Sequence, residues 1–260
     1  MKRIAYLALL KASALSPAST VLNAGDLAVI GYNSSNPDTV AIVALKALQA
    51  GTSFTLTDYG WKSEGVLRTG GEGYITATLN LDLALGSVFF IQREVSGQIT
   101  SSLEASAFSF VWDGGSNPEF APSAAGDGVI LFQGPFDDGT GAVSGNLIYA
   151  INADNTAPNV DGWQSTATNS NTSALPTGLV NGKTAIGLAP VTEFDNYIYV
   201  GTRTGTVDEL LAAIGNLSNW QGRDSTVYSF DTTSFNVVPE PATMALLGLG
   251  VLPLIKRRRR

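Results

Sequence analysis

GDLAVIGYNSSNPDTVAIVALKALQAGTSFTLTDYGW, residues 25–61, holds three short runs rich in Val, Ile, Thr, Phe and Tyr, set between clusters of Gly, Asn, Asp and Pro. β-branched and aromatic side chains fit a pleated, half-buried surface, whereas Gly, Asn, Asp and Pro each supply a turn geometry. The stretch therefore predicts strands over Asp26–Tyr32, Thr39–Lys46 and Ser53–Thr57. Moving outward, the same rhythm predicts strands at Tyr74–Leu79, Ser87–Gln92, Gly128–Phe132, Leu147–Ile151, Asn196–Val200 and Thr226–Phe230. Many short strands between turn signals are the habit of sandwiches and barrels. One helix stands apart: Thr206, Val207, Asp208 and Glu209 spell a capping box, Leu210, Leu211 and Ile214 give an apolar stripe, and Gly215 suits the C′ position. The fold class expected is mainly β, an immunoglobulin-like or related β-sandwich with one short helix. Its body spans residues 24–235 and residues 232–238 form a tether. Two sandwiches split near residues 134–145 are the other arrangement the pattern allows.

Composition narrows the chemistry. The 260 residues include 28 Gly but no Cys and no His. Without those two types there is no Ser-His-Asp or Cys-His nucleophile, no ordinary zinc site and no haem or redox ligation through them. The net charge of −7 conceals a sharper asymmetry. Eight of the 15 basic residues lie at the ends (Lys2, Arg3, Lys11 and Lys256–Arg260), which leaves seven against 21 acids between residues 12 and 238. So acidic a body repels phosphates, and a nucleic acid is not an expected partner.

Both ends read as addresses. Residues 1–18 place Lys2 and Arg3 before an apolar run, Ile4 to Leu10, and then small residues up to Ala18. This is the three-part order of a secretory signal, weakened by Lys11 and Pro17. At the other end, Val238, Pro239, Glu240 and Pro241 precede an apolar run, Ala242 to Ile255, and then Lys256, Arg257, Arg258, Arg259 and Arg260. Fourteen helical residues rise about 21 Å, short of the roughly 30 Å hydrocarbon core. The run is therefore too short for a permanent anchor. Its basic end would stay cytoplasmic and snorkel to the interface during a transient span. Two prolines around Glu240 disfavour helix there and keep the tripeptide extended, a form that suits a protease or transpeptidase groove.

This order of Pro-Glu-Pro, short apolar helix and Arg cluster resembles the PEP-CTERM sorting signal of exported bacterial proteins. The resemblance implies that residues 236–260 are a sorting signal with a hydrophobic sorting helix over 242–255. Val238, Pro239, Glu240 and Pro241 would be the recognition element and Lys256–Arg260 the cytoplasmic stop. An exosortase-type membrane enzyme would process the tail, so that the precursor sits in the inner membrane before the body passes to the cell envelope or to a matrix rich in exopolysaccharide. Within the body, AIVALKAL (41–48), SFTLTDYGW (53–61) and GDGVILFQ (126–133) resemble the immunoglobulin-like lamin-tail modules of secreted bacterial proteins. That second resemblance implies an adhesive or scaffold module and no catalyst.

Other motifs are weaker. Gly178–Thr184 has three residues between its glycines where a phosphate-binding loop needs four, so it reads as a turn. Gly114–Pro118 nearly spells a nucleophile elbow but ends in Pro, and the chain has no His. Glu64, Glu72, Glu104, Glu119, Glu193 and Glu209 are eligible by type for paired-carboxylate glycosidase chemistry, yet no spacing selects a pair. That leaves a carboxylate-dependent hydrolase of matrix polysaccharide as one alternative function. A calcium- or glycan-binding adhesion module is another. Calcium could draw on the oxygen-rich loops at Asp137-Asp138-Gly139 and at Asn152, Asp154, Asn155, Asn159 and Asp161, although Asx turns explain such residues without a metal. Trp61, Trp112, Trp163 and Trp220 could stack on sugars if exposed, but buried aromatics are the commoner outcome. The expected function is that of an exported, non-enzymatic surface or matrix protein, without a cofactor.

Overall fold

The computed structural model describes residues 18–112, 120–155, 161–190 and 192–240. The first half of the chain forms β1 (Leu27–Asn33), β2 (Asp38–Ala44), β3 (Ser53–Thr57), β4 (Tyr74–Leu79), β5 (Val88–Arg93), β6 (Ile99–Ser101), β7 (Phe108–Trp112) and β8 (Gly128–Gln133). The second half adds β9 (Phe136–Asp137), β10 (Ala142–Val143), β11 (Asn146–Asn152), β12 (Ala185–Gly187), β13 (Asn196–Tyr199) and β14 (Thr204–Gly205). After these come α1 (Val207–Ile214), a 3-10 turn at Leu217–Asn219, β15 (Trp220–Arg223) and β16 (Asn236–Val237). Two six-stranded sheets face each other in the orders β15-β13-β1-β2-β5-β6 and β12-β11-β8-β3-β4-β7. Their inner faces share one core, in which the rings of Phe54, Phe89 and Phe108 pack with centroids 5.3–6.4 Å apart. The expected β-sandwich is the fold found.

Every residue of β1 and β2 is buried, because the first sheet is covered on its outer side too. There the segment after β15 lies across the strands. Tyr228 exchanges two 3.0 Å bonds with the Asn33 side chain, Phe230 packs 6.4 Å from Phe90, and a Cβ on Gly31 would come within 2.2 Å of the Phe230 ring. The second sheet is covered outside by loops that bury Tyr59, Trp61, Leu67, Trp163 and Leu179 against Ile130 and Phe132.

The strands expected at Ser53–Thr57 and Tyr74–Leu79 have those bounds, and most others agree within two residues. Thr226–Phe230 is a correction. The strand in this region is β15, which ends at Arg223, before Thr226, and Val227–Phe230 makes its contacts through side chains and scattered main-chain bonds outside any ladder. The helix is as expected: Thr206 and Glu209 bond each other's backbone in a full capping box, and Leu210, Leu211 and Ile214 are buried. Gly215 differs, since it ends the helix with φ −73° and not in the left-handed region. Its reason is close approach, because a Cβ there would lie 2.2 Å from the Gly182 carbonyl.

Candidate functional site

The described residues end at Glu240, just inside the tail that the sequence marks as a sorting signal. Phe235 is buried, stacks on Tyr199 with centroids 6.2 Å apart and donates its N–H to the Gly86 carbonyl at 2.8 Å. β16 then runs parallel to β14, with the Asn236 and Val238 N–H groups bonded to the Arg203 and Gly205 carbonyls at 2.8 and 2.9 Å. Arg203 clasps the approach to this strand. Its guanidinium donates to the Asp231 carboxylate and the Thr233 carbonyl, both at 2.9 Å, and lies 5.3 Å from the centre of the Phe235 ring. Residues 235–238, read from sequence as tether, are thus bonded to the body. Proline has no N–H to continue a ladder, so pairing stops at Val238, and Pro239 and Glu240 stand exposed immediately beyond it. Pro241, the apolar run 242–255 and the basic residues Lys256–Arg260 lie outside the described residues, as do residues 1–17 of the expected signal. Among the described residues no helix is long and apolar enough to cross a membrane.

At one end of the sandwich three acids converge. Phe54 and Leu56 of β3 point into the core, and Asp58 continues that alternation one step past the strand. Asp127 likewise precedes Val129 and Leu131 of β8 on the inward face. Glu72, on the loop before β4, joins them. One carboxylate oxygen from each lies within 4.8 Å of the others, and the residues are only 1–5% exposed. Backbone donors hold two of the carboxylates in place. Gly73 and Ala121 N–H donate to Asp58 at 2.7 and 2.8 Å, and Gly128 and Ser123 N–H donate to Asp127 at 2.7 and 3.0 Å. Burial, reinforced by the Asp58 charge, pushes Glu72 up to about 8 and holds Asp127 well above the usual carboxylate range.

The remaining candidates do not join this group. Glu209 is spent on the helix cap. Asp137 accepts from Gly139 N–H and the Thr140 hydroxyl, Asp161 accepts from Trp163 N–H, and Asp138 accepts from the Tyr59 hydroxyl. The two oxygen-rich loops are therefore built largely of Asx-type turns and side-chain links. Glu119, Asn159 and Gly114–Pro118 lie outside the described residues. Gly178–Thr184 is a turn, closed by the Val180 N–H on the Thr184 hydroxyl. Trp61, Trp163 and Trp220 are buried and Trp112 is partly so, so the first three offer no open face to a sugar. A surface groove of about 600 Å³ beside Thr55, Tyr74, Val111 and Phe136 has no carboxylate in its lining.

Two further acids give the protein a pH dependence. Burial outweighs the Arg93 guanidinium 3.4 Å from Asp38 and raises that carboxyl from 3.8 to about 6. Burial, with the charges of Asp195, Asp224 and Asp154, raises Glu193 from 4.5 to about 7. A raised folded-state pKa means that the native protein keeps protons which the unfolded chain has released, so stability falls as pH rises through the window between the two values. In chelator, the melting temperature is expected to drop between pH 5 and pH 7.5, and the double variant Asp38→Asn, Glu193→Gln to show a flatter profile in calorimetry. An unchanged slope would remove these two groups from the account.

Residues 237–260 match the PEP-CTERM protein-sorting motif. No curated protein and no solved structure matches the chain. The motif implies processing by an exosortase, a membrane enzyme, and the chain is that of an exported protein carrying a PEP-CTERM sorting signal at its C-terminus.

Proposed function

We propose that the protein is a non-enzymatic component of the bacterial cell envelope or extracellular matrix, a scaffold of the kind implied by its lamin-tail resemblance, delivered by its C-terminal signal. The observation that carries this reading is the junction at Val238: the sorting motif leaves a closed two-sheet body directly, so that the body is what the signal delivers. Two features favour a scaffold over the hydrolase alternative. The acids that converge are sealed from substrate, and the groove beside Thr55 and Tyr74 is lined without an acid. Exopolysaccharide is the matrix partner that this destination supplies.

Antibody labelling of unpermeabilised cells, with recovery of the body in the polysaccharide-rich matrix fraction, is the expected result in a host with a working exosortase. A body found only in the soluble periplasm of such cells would refute the destination. Incubation of the purified protein with the producer's own exopolysaccharide is expected to leave its chain length unchanged, and shortening would establish the hydrolase instead.

A further inference from the structure

We infer that Asp58, Glu72 and Asp127 form a binding site for one calcium ion, enclosed between the two sheets at the end of the sandwich. Calcium takes oxygen ligands at about 2.3–2.6 Å, so two of them on one ion stand at most about 4.6–5.2 Å apart. The three carboxylate oxygens, all within 4.8 Å of one another, fall inside that span. Magnesium, with ligands at about 2.0–2.1 Å, needs all of them within about 4.2 Å of one another in a near-ideal octahedron, a stricter demand than calcium makes. Each ligand sits on a firm support: Asp58 and Asp127 extend the inward faces of neighbouring strands, and four backbone N–H bonds fix their carboxylates.

A second observation, independent of the acids, points to the same place. Tyr32 is fully buried, and its hydroxyl makes no hydrogen bond. Its direction follows from its neighbours. Gly31 and Asn33 face the outer cover through Phe230 and Tyr228, so Tyr32, between them, projects inward toward the second sheet. Asp127 is the charge that acts most strongly on its hydroxyl, followed by Asp38, at the start of β2, and then Asp58. Ser34 lies beside it, but the Ser34 hydroxyl donates its proton to the Asp195 carbonyl at 2.7 Å, so it has none to give to the Tyr32 oxygen. A buried hydroxyl that faces inward within reach of the Asp127 and Asp58 charges, and that receives no proton from a neighbour, calls for a further polar group to complete its hydrogen bonding. An ion carrying a coordinated water supplies one, and its charge offsets the mutual repulsion of the acids. Their enclosure favours an ion over an organic ligand, since a cation needs only an oxygen cage.

The test uses the full-length protein in mild detergent at pH 7.5. Calorimetric titration with CaCl₂ is expected to give one site per chain. Calcium at about ten to a hundred times its dissociation constant should raise the melting temperature by about 3–10 °C over that in EDTA, and magnesium at the same concentration by much less. Glu72→Gln and Asp127→Asn should each abolish the calcium response. Glu72→Gln should also melt in EDTA no lower than the native protein, because it removes one of three repelling buried carboxylates. A native protein that takes up no calcium overturns the assignment without recourse to any variant. So does a calcium response that survives both substitutions, or a magnesium response of equal size. Surface delivery and polysaccharide cleavage are read by separate experiments, so failure here leaves the proposed function standing and the reverse is equally true.

Discussion

Changing Pro239, Glu240 and Pro241 together to alanine is expected to leave the protein at full length, Arg260 included, in the inner-membrane fraction, while the native chain loses its C-terminal segment. The argument is local. Prolines at these positions favour an extended backbone and carry no main-chain donor. Alanine restores both the donors and a strong preference for helix, so the extended element that we propose a processing enzyme reads would be lost. The body should not notice, because Pro239 and Glu240 are exposed and the last bond to the body belongs to Val238. Intact-mass measurement of membrane and surface fractions decides the matter, with near-complete loss of the processed species expected. Equal processing of the two forms would show that the tripeptide is not what is read, and a lowered melting temperature in the variant would trace the defect to the body instead.

The largest expected effect on stability comes from Trp163→Ala. This side chain is 1% exposed, and its indole N–H donates to the Asn181 Oδ1 at 2.9 Å. It packs with Tyr59, Trp61, Leu179 and Phe132 in the cluster that seats the segment 161–185 on the outer face of the second sheet. Truncating so large a buried ring costs about 3–5 kcal/mol through lost transfer energy and the cavity left behind. Asn181 Oδ1 keeps its other donor, the Gly187 N–H at 3.3 Å, so the packing term dominates. Trp163→Phe should cost markedly less. The midpoint of urea denaturation measures both, and a cost below about 1 kcal/mol for the alanine variant would mean that the segment is not part of the cooperative unit.

Ser53–Thr57 and Tyr74–Leu79 were legible to the residue because turn signals bracket them and their side chains alternate, Phe54 and Leu56 inward, Thr55 and Thr57 outward. Val227, Tyr228 and Phe230 misled for a physical reason. Residues that favour strands also favour any half-buried extended surface, and here that surface is the outer face of a sheet already complete. The helix cap needed only four consecutive residues, and it was read correctly. The acidic site drew on acids 14 and 55 residues apart in sequence, on separate elements. No local spacing encodes such a meeting. One signal was available, since Asp58 falls on the parity of Phe54 and Leu56, and Asp127 on that of Val129 and Leu131. A carboxylate in phase with a core stripe is a buried carboxylate in waiting. The sorting motif was legible because it depends on order along the chain and on no tertiary contact.

The way β16 is fastened has a mechanical consequence. A body held at a membrane through its tail feels any pull first at Val238. Between that residue and the two six-stranded sheets stand a two-residue parallel pair, one buried phenyl ring, the Arg203 clasp and, further back, the Tyr228–Asn33 bonds and the Phe230 ring. Such a fastening opens like a zip, one bond after another, whereas the sheets would have to give way together. Traction would therefore peel residues 224–238 from the body before it disturbed the sandwich, paying out about 50 Å of extended chain as a tear-away leash and baring the outer face of the first sheet around Gly31 and Phe90.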